Sequence, residues 1–189
     1  LSLMALLPLL TMISLILKFT GEGEVFFLQE RIGKSGKKFK LIKFATMLKN
    51  SPHMGTGTVT VNGDPRILFV GSILRKTKIN ELPQLMNIIL GDMSLIGPRP
   101  VVPEHFAHYP ADIRSKVVTV KPGLSGVGSI FFRMEDSILE LHDDPVFFYS
   151  EIISPFKAKL EEWFVENLTF KLYLRLIYLT LIAVINPNS

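Results

Sequence analysis

The sequence predicts an α/β chain that sits at a membrane surface, and three observations predict it. Residues 1–17 are apolar and carry no charge. Residues 167–185 are apolar nearly all round, with Lys171 and Arg175 as their only charges. Between these ends lie a β-hairpin pattern and a series of short helical patterns punctuated by Gly and Pro.

A straight helix over residues 1–17 reaches ~25 Å, short of a hydrocarbon core of ~30 Å. Pro8 sits in its middle, where it removes a backbone hydrogen bond and kinks the helix. The segment therefore reads as a kinked helix that enters and leaves one leaflet, or as a span completed by upstream residues. A buried core helix is the plain alternative, and a signal peptide is disfavoured because no small-residue cleavage site follows. The chain opens at Leu1 rather than Met, which predicts a fragment of a longer protein.

Val25-Phe26-Phe27 reads as a strand, Gly33-Lys34-Ser35-Gly36 as a turn and Phe39 to Phe44 as the returning strand. Six basic residues fall from Arg31 to Lys43; they suit lipid headgroups or a diphosphate, or simply make a solvated basic hairpin. Residues 50–66 form a Gly/Thr/Asn/Pro-rich loop. A helix is expected from about Ile67 to Lys76, and a second from Asn80 to Leu90 with Gly91 as its stop. An irregular loop (91–103), a helix (103–118), a Lys121-Pro122-Gly123 turn and a strand around 127–133 follow. Helices near 135–142, 145–153 and 155–166 lead to a final helix capped by Asn167 or Thr169. Lys171 and Arg175 share one face of it, and so apolar a helix lies in the membrane interface or packs in a core.

At 189 residues the chain can bury one core. It is 48% hydrophobic with a formal charge of +4, a mean hydropathy of +0.34 and a pI near 9.3. Basic and apolar together suggest anionic lipid or a phosphorylated substrate. An excess of 21 Lys+Arg over 17 Asp+Glu is too mild for a nucleic-acid partner. Cysteine is absent, which excludes disulfides, zinc-thiolate sites and thiol catalysis and fits a reducing compartment.

The residues able to do chemistry cluster in 74–100. In Asn80-Glu81-Leu82-Pro83, Asn is a good N-cap, Glu suits the first turn and Pro is tolerated there, so the plain reading is a well-made helix start. The functional reading is an anion site in which Glu81 holds a divalent metal or attacks phosphorus, with Arg75, Lys76 and Lys78 upstream to neutralise a diphosphate. Pro98 and Pro100 fix the backbone around Arg99, which suits bidentate phosphate binding, or makes a rigid loop with a surface arginine. Asp92 is a metal ligand or a turn residue. Lys121 and Arg133 are weak signals singly. His53, His105, His108 and His142 lack metal-ligand spacing and read as surface or loop histidines.

Together these stretches resemble the bacterial sugar transferases, the polyprenyl-phosphate sugar-1-phosphate transferases, in their small monotopic form. The resemblance rests on VFFLQERIGKSGKKFKLIKFATM, DPRILFVGSILRKTKINELPQLMNIILGDMSLIGPRP, VKPGLSGVGSIFFR and ENLTFKLYLRLIYLTL. It implies transfer of a sugar-1-phosphate from a UDP-sugar to polyprenyl phosphate, with release of UMP, a covalent phosphosugar-enzyme and magnesium to screen the diphosphate. It also implies a re-entrant first helix (1–19) broken at Pro8, a catalytic domain (20–189) ending in an interfacial helix (about 167–186), and a place on the cytoplasmic face of the bacterial inner membrane. Self-association as a homo-oligomer stays open.

The family's Asp-Glu pair reads Asn80-Glu81 here. An amide is a poor nucleophile and a poor magnesium ligand, so Glu81 has become the nucleophile, or Asp92 supplies the missing charge, or the chain is a disabled homologue serving as a membrane scaffold. We expect an active enzyme using Glu81, with Arg75, Arg99, Lys121 and Arg133 as phosphate ligands. Ala45 replaces an arginine of the family pattern. Val127-Gly128-Ser129 replaces Trp-Ala-Gln, which implies a different donor preference.

Overall fold

The computed structural model describes residues 2–185; residue 1 and residues 186–189, the outer edges of the expected terminal segments, lie outside them. Helix α1 (Ser2–Phe19) contains Pro8 and continues past it. The expected break is thus not a break in the helix: proline removes one backbone bond, and the rest of the ladder carries the turn through. The 18 residues of α1 rise about 27 Å, and among the described residues no helix is long and apolar enough to cross a membrane. Its inner face packs Ile13 and Leu17 against Phe44 and Leu74. Its outer face leaves Leu7, Met12, Leu15 and Phe19 exposed.

Strands β1 (Phe26–Ile32) and β2 (Lys38–Phe44) form the expected antiparallel hairpin, with Phe26 opposite Phe44 and Glu30 opposite Lys40. Lys34, Lys37, Lys38 and Lys40 point to solvent. Only the two ends of the basic run, Arg31 and Lys43, turn inward. The hairpin docks on the Gly-Pro-Arg-Pro loop through Ile32 N–H to the Val101 carbonyl (3.1 Å) and Arg31 Nη1 to the Pro100 carbonyl (2.9 Å).

Residues 50–66 hold little regular structure, yet one buried arginine organises them. Arg66 Nη1 donates to the carbonyls of Ser51, Met54 and Gly57 at 2.6–2.8 Å. Its Nη2 donates to Val59 and Thr56, and Asp64 balances the charge at 2.6 Å. A guanidinium at this depth is tolerable because every nitrogen has a partner.

Helix α2 (Phe69–Lys76) is followed by a 3₁₀ turn (Ile79–Glu81) and then α3 (Gln84–Leu90), which stops at Gly91 with φ 87°. Asn80 is therefore not the expected N-cap of a helix from 80 to 90. Lys78 adopts a left-handed φ of 59°, which turns the chain so that Asn80 points inward, and Pro83 starts α3 without a side-chain cap. Asn87 bolts α3 to β2: its Nδ2 donates to the Lys40 carbonyl (2.8 Å) and its Oδ1 accepts from Ile42 N–H (3.1 Å).

Strand β3 (Ser94–Ile96) pairs in parallel with β4 (Gly123–Ser125). The single helix expected over 103–118 is two, α4 (Pro103–Ala107) and α5 (Ala111–Val117), because Pro110 separates them. The strand expected at 127–133 is helix α6 (Val127–Phe131); extended structure ends at Ser125, where pairing with β3 runs out. Then come α7 (Glu135–Glu140), α8 (Pro145–Phe148), a wide π turn (Tyr149–Ile153), α9 (Ser154–Glu166) and α10 (Phe170–Ile185). Of the two expected caps for the last helix, Thr169 serves, accepting Leu172 N–H at 3.2 Å. Asn167 instead closes α9 by donating to the Trp163 carbonyl at 2.8 Å. Helix α10 buries Leu176 beside Ile96 and Phe164 and exposes Phe170, Tyr178, Leu181 and Val184.

Candidate active site

A cleft of about 1100 Å³ opens between the hairpin, the 50–66 loop, the 3₁₀ turn and α9. Asn80, Glu81, Arg75, Arg99 and Arg133 all line it, as do Lys76 and Lys78, so the fold brings together most of the residues singled out from the sequence. Asp92 and Lys121 do not line it. Asp92 lies beyond α3, where Asn87 Nδ2 approaches it at 3.4 Å. Lys121 is exposed on the Gly91 side. Neither therefore shares the cleft with Glu81 and Asn80.

Glu81 is the centre of the charge pattern. Its Oε1 lies 3.5 Å from Lys43 Nζ and 3.8 Å from Arg99 Nη2. Burial alone would raise its carboxyl; Lys43, Arg99 and Lys78 outweigh burial and hold it down at about 2. Burial in turn pulls Lys43 down to about 8, against the attraction of Glu81. Glu81 is thus an ionised carboxylate, kept so by cations that also face the cleft. Asn80 beside it is buried, and its Oδ1 has no hydrogen-bond partner.

Around this pair the cations spread along the walls. Arg99 reaches Ser129 Oγ (3.3 Å) as well as Glu81. Arg75 meets Asp136 at 3.5 Å. Arg133 keeps Nη1 buried without a partner, as does Arg31 its Nε. Burial, with Arg99 nearby, brings Arg31 down to about 10. Partnerless donors in a cationic cleft have spare capacity for an anionic ligand. Carboxylates limit that capacity: Lys157 is paired with Glu135, and Asp136 holds Arg75.

Four participants were not singled out as site residues in the sequence, although the basic run that holds two of them suits a diphosphate. Lys43 and Arg31 lay inside a basic run whose members diverge only once the hairpin forms. His105 is not a surface residue: it lines the cleft, bonds Thr58 Oγ1 at 3.0 Å and stands 4.9 Å from the Tyr149 ring. Burial, with Arg31 nearby, lowers it to about 4. Glu161 reaches the cleft from α9. Its signal was present, since Ala158, Glu161 and Phe164 fall at helical spacing on the buried face.

Among the described residues no group of three or more His, Cys, Asp or Glu side chains forms a metal cage. Magnesium needs no such cage, because it keeps several waters and binds through one or two carboxylates plus substrate phosphate. The Glu81 carboxylate is an oxygen donor of that kind, and the partnerless Asn80 amide oxygen beside it is a weaker one, so the residues fit the ion chiefly through Glu81.

The family model described as bacterial sugar transferase matches residues 1–187. The exopolysaccharide production protein ExoY of Sinorhizobium fredii is 37% identical over 151 residues, covering 72% of this chain and 66% of that protein. The UDP-glucose:undecaprenyl-phosphate glucose-1-phosphate transferase of Xanthomonas campestris pv. campestris is 39% identical, over 66% of this chain and 26% of its own length. The Escherichia coli transferase of the same name is 36% identical, over 86% of this chain and 35% of its own. The chain thus spans less than two thirds of the length of these relatives.

Proposed function

Because the chain belongs to the bacterial sugar transferase family, we propose that it moves a sugar-1-phosphate from a UDP-sugar to polyprenyl phosphate and releases UMP. The observation that carries this reading is Glu81: an ionised carboxylate between Lys43 and Arg99 in a large cationic cleft. In the proposed first step a Glu81 oxygen attacks the β-phosphorus of the donor. The bond from that phosphorus to the bridging oxygen breaks, UMP leaves with the oxygen, and the sugar phosphate stays on Glu81 as an acyl phosphate. In the second step a phosphate oxygen of the lipid attacks the same phosphorus and frees the carboxylate. Arg75, Arg99 and Arg133 take up charge on the phosphates. Magnesium, held by Glu81 and the Asn80 amide oxygen, would screen the diphosphate when bound.

Supporting a membrane setting are the exposed apolar faces of α1 and α10, which suit an interface between headgroups and acyl chains. The reading puts the cleft at the cytoplasmic leaflet of the inner membrane, with α1 re-entrant, so that a soluble donor meets a lipid acceptor. Asn80 favours one other reading, a homologue that keeps the fold as a scaffold without turnover.

UMP release separates the two. Wild type is assayed on a panel of UDP-sugars with polyprenyl phosphate and magnesium, beside Glu81→Gln and Asn80→Asp. Release by wild type that Glu81→Gln abolishes supports the transferase. Silence on every donor, with release restored by Asn80→Asp, supports the scaffold.

A further inference from the structure

Glu161 faces the cleft but takes no part in the proposed chemistry. It is 2% exposed, a depth at which a carboxylate is rare without a paired cation. No lysine, arginine or histidine lies within salt-bridge distance of it among the described residues, and its neighbour Lys157 is engaged by Glu135. Instead Oε1 accepts the backbone N–H of Arg99 at 3.2 Å, while Oε2 is buried without a partner.

That N–H has a particular place. Pro98 and Pro100 have no amide hydrogen, so Arg99 carries the only donor at the crest of the loop. The loop's other flank is tied to the β4 turn, by Gly97 N–H to the Ser125 carbonyl and Gly123 N–H to the Pro98 carbonyl, both at 2.9 Å. The backbones approach so closely that a Cβ on Gly126 would lie 2.2 Å from the Gly97 carbonyl oxygen. Glu161 is the tie on the side facing α9. Room is reserved for it: a Cβ on Gly128 would fall 2.4 Å from its Oε1. With the loop fixed on both flanks, the Arg99 guanidinium rests between Ser129 and Glu81.

We infer that Glu161 is a positioning residue, whose carboxylate fixes the backbone of Arg99 and through it aims the guanidinium at the reacting phosphates. This rests on the transferase reading for what Arg99 binds, though not for what Glu161 holds. Burial pushes the Glu161 carboxyl up to about 7, against the Arg99 N–H and the charges of Arg99 and Lys157. An apolar side chain would sit there at lower cost, which is the expected mark of a group kept for its hydrogen bond.

The test uses the full chain in detergent and two readouts. Amide hydrogen exchange over Gly97–Val101 is simple to interpret, because the two prolines leave few amides there. Loss of the carboxyl acceptor is expected to speed Arg99 exchange about tenfold in Glu161→Ala. Gly128→Ala, which displaces the carboxylate without removing it, should do the same, and Glu161→Gln, which keeps an acceptor oxygen, should stay near wild type. In UMP release, Glu161→Ala should lower kcat/KM about tenfold or more, Glu161→Gln should restore most of it, and Glu161→Ala should have no further effect in an Arg99→Ala background. Unchanged Arg99 exchange in Glu161→Ala, or equal acceleration in Glu161→Gln, overturns the proposal, as does full additivity with Arg99→Ala. If wild type releases no UMP from any donor, the transferase reading fails, and the exchange results alone decide the role of Glu161.

Discussion

The Nζ of Lys43 lies 3.5 Å from Oε1 of Glu81, and each side chain keeps only 18% of its exposure. The pair joins the second strand of the hairpin to the 3₁₀ turn before α3, so the charge state of the cleft depends on how these two elements dock.

Removing the Glu81 carboxylate tests the centre of the site. Glu81→Gln is expected to lower UMP release by at least about 1000-fold while leaving the melting temperature within a few degrees, since a neutral amide still fits between Lys43 and Arg99. Asn80→Asp adds a second carboxylate next to a magnesium ligand and is expected to raise release about tenfold. Both are read by following UMP at saturating donor.

Lys43 sets the alkaline limit. With its pKa lowered to about 8, Lys43 is cationic below that pH and neutral above it. Its loss of charge removes a cation from Glu81 and from the bound phosphates. Activity should therefore fall as pH rises through about 8, with KM increasing first. Lys43→Arg keeps the charge to higher pH and should move the fall upward. Glu81, held at about 2, stays ionised throughout a pH 6–10 titration and contributes no step to it.

Asp92 and Lys121 stand outside the cleft, and their substitution should show it. Asp92→Asn and Lys121→Ala are each expected to change kcat/KM by no more than about twofold. A large loss in either variant would mean that the cleft extends past α3.

The contrast between these residues and Glu81 shows how much the sequence disclosed. Glu81 and Arg99 were legible because they sit in short stretches punctuated by Pro and Gly, Arg75 because it belongs to the basic run just upstream, and Arg133 only through the family resemblance. Asp92 and Lys121 sit in equally dense stretches, yet the fold leaves them outside the cleft. The hairpin and most helices followed from hydrophobic period and turn residues. The β3–β4 pair did not, since three-residue strands joined through two intervening helices leave no local pattern. Glu161 carried no signal of its role within the helix expected near 155–166, because that role depends on α9 passing beside the Arg99 loop. Asn80 read as a cap because Asn is common there; the left-handed Lys78 that turns it inward gave no warning.

Arg66→Ala is expected to destabilise the protein by about 3–5 kcal/mol, because Asp64 would be left buried without its partner. Thermal unfolding checks the magnitude, and Arg66→Lys should recover little, since an ammonium cannot make the forked contacts.

One side chain, Arg66, thus holds a whole wall of the cleft from behind. Its contacts in residues 51–59 are mostly to backbone carbonyls, which any residue type supplies. The wall's identity and its shape are therefore uncoupled. The outward side chains of this stretch, Thr58 and Thr60, can be exchanged while the frame that presents them stays in place and Val59 stays in the core, so substrate choice can drift over evolutionary time at little cost to folding.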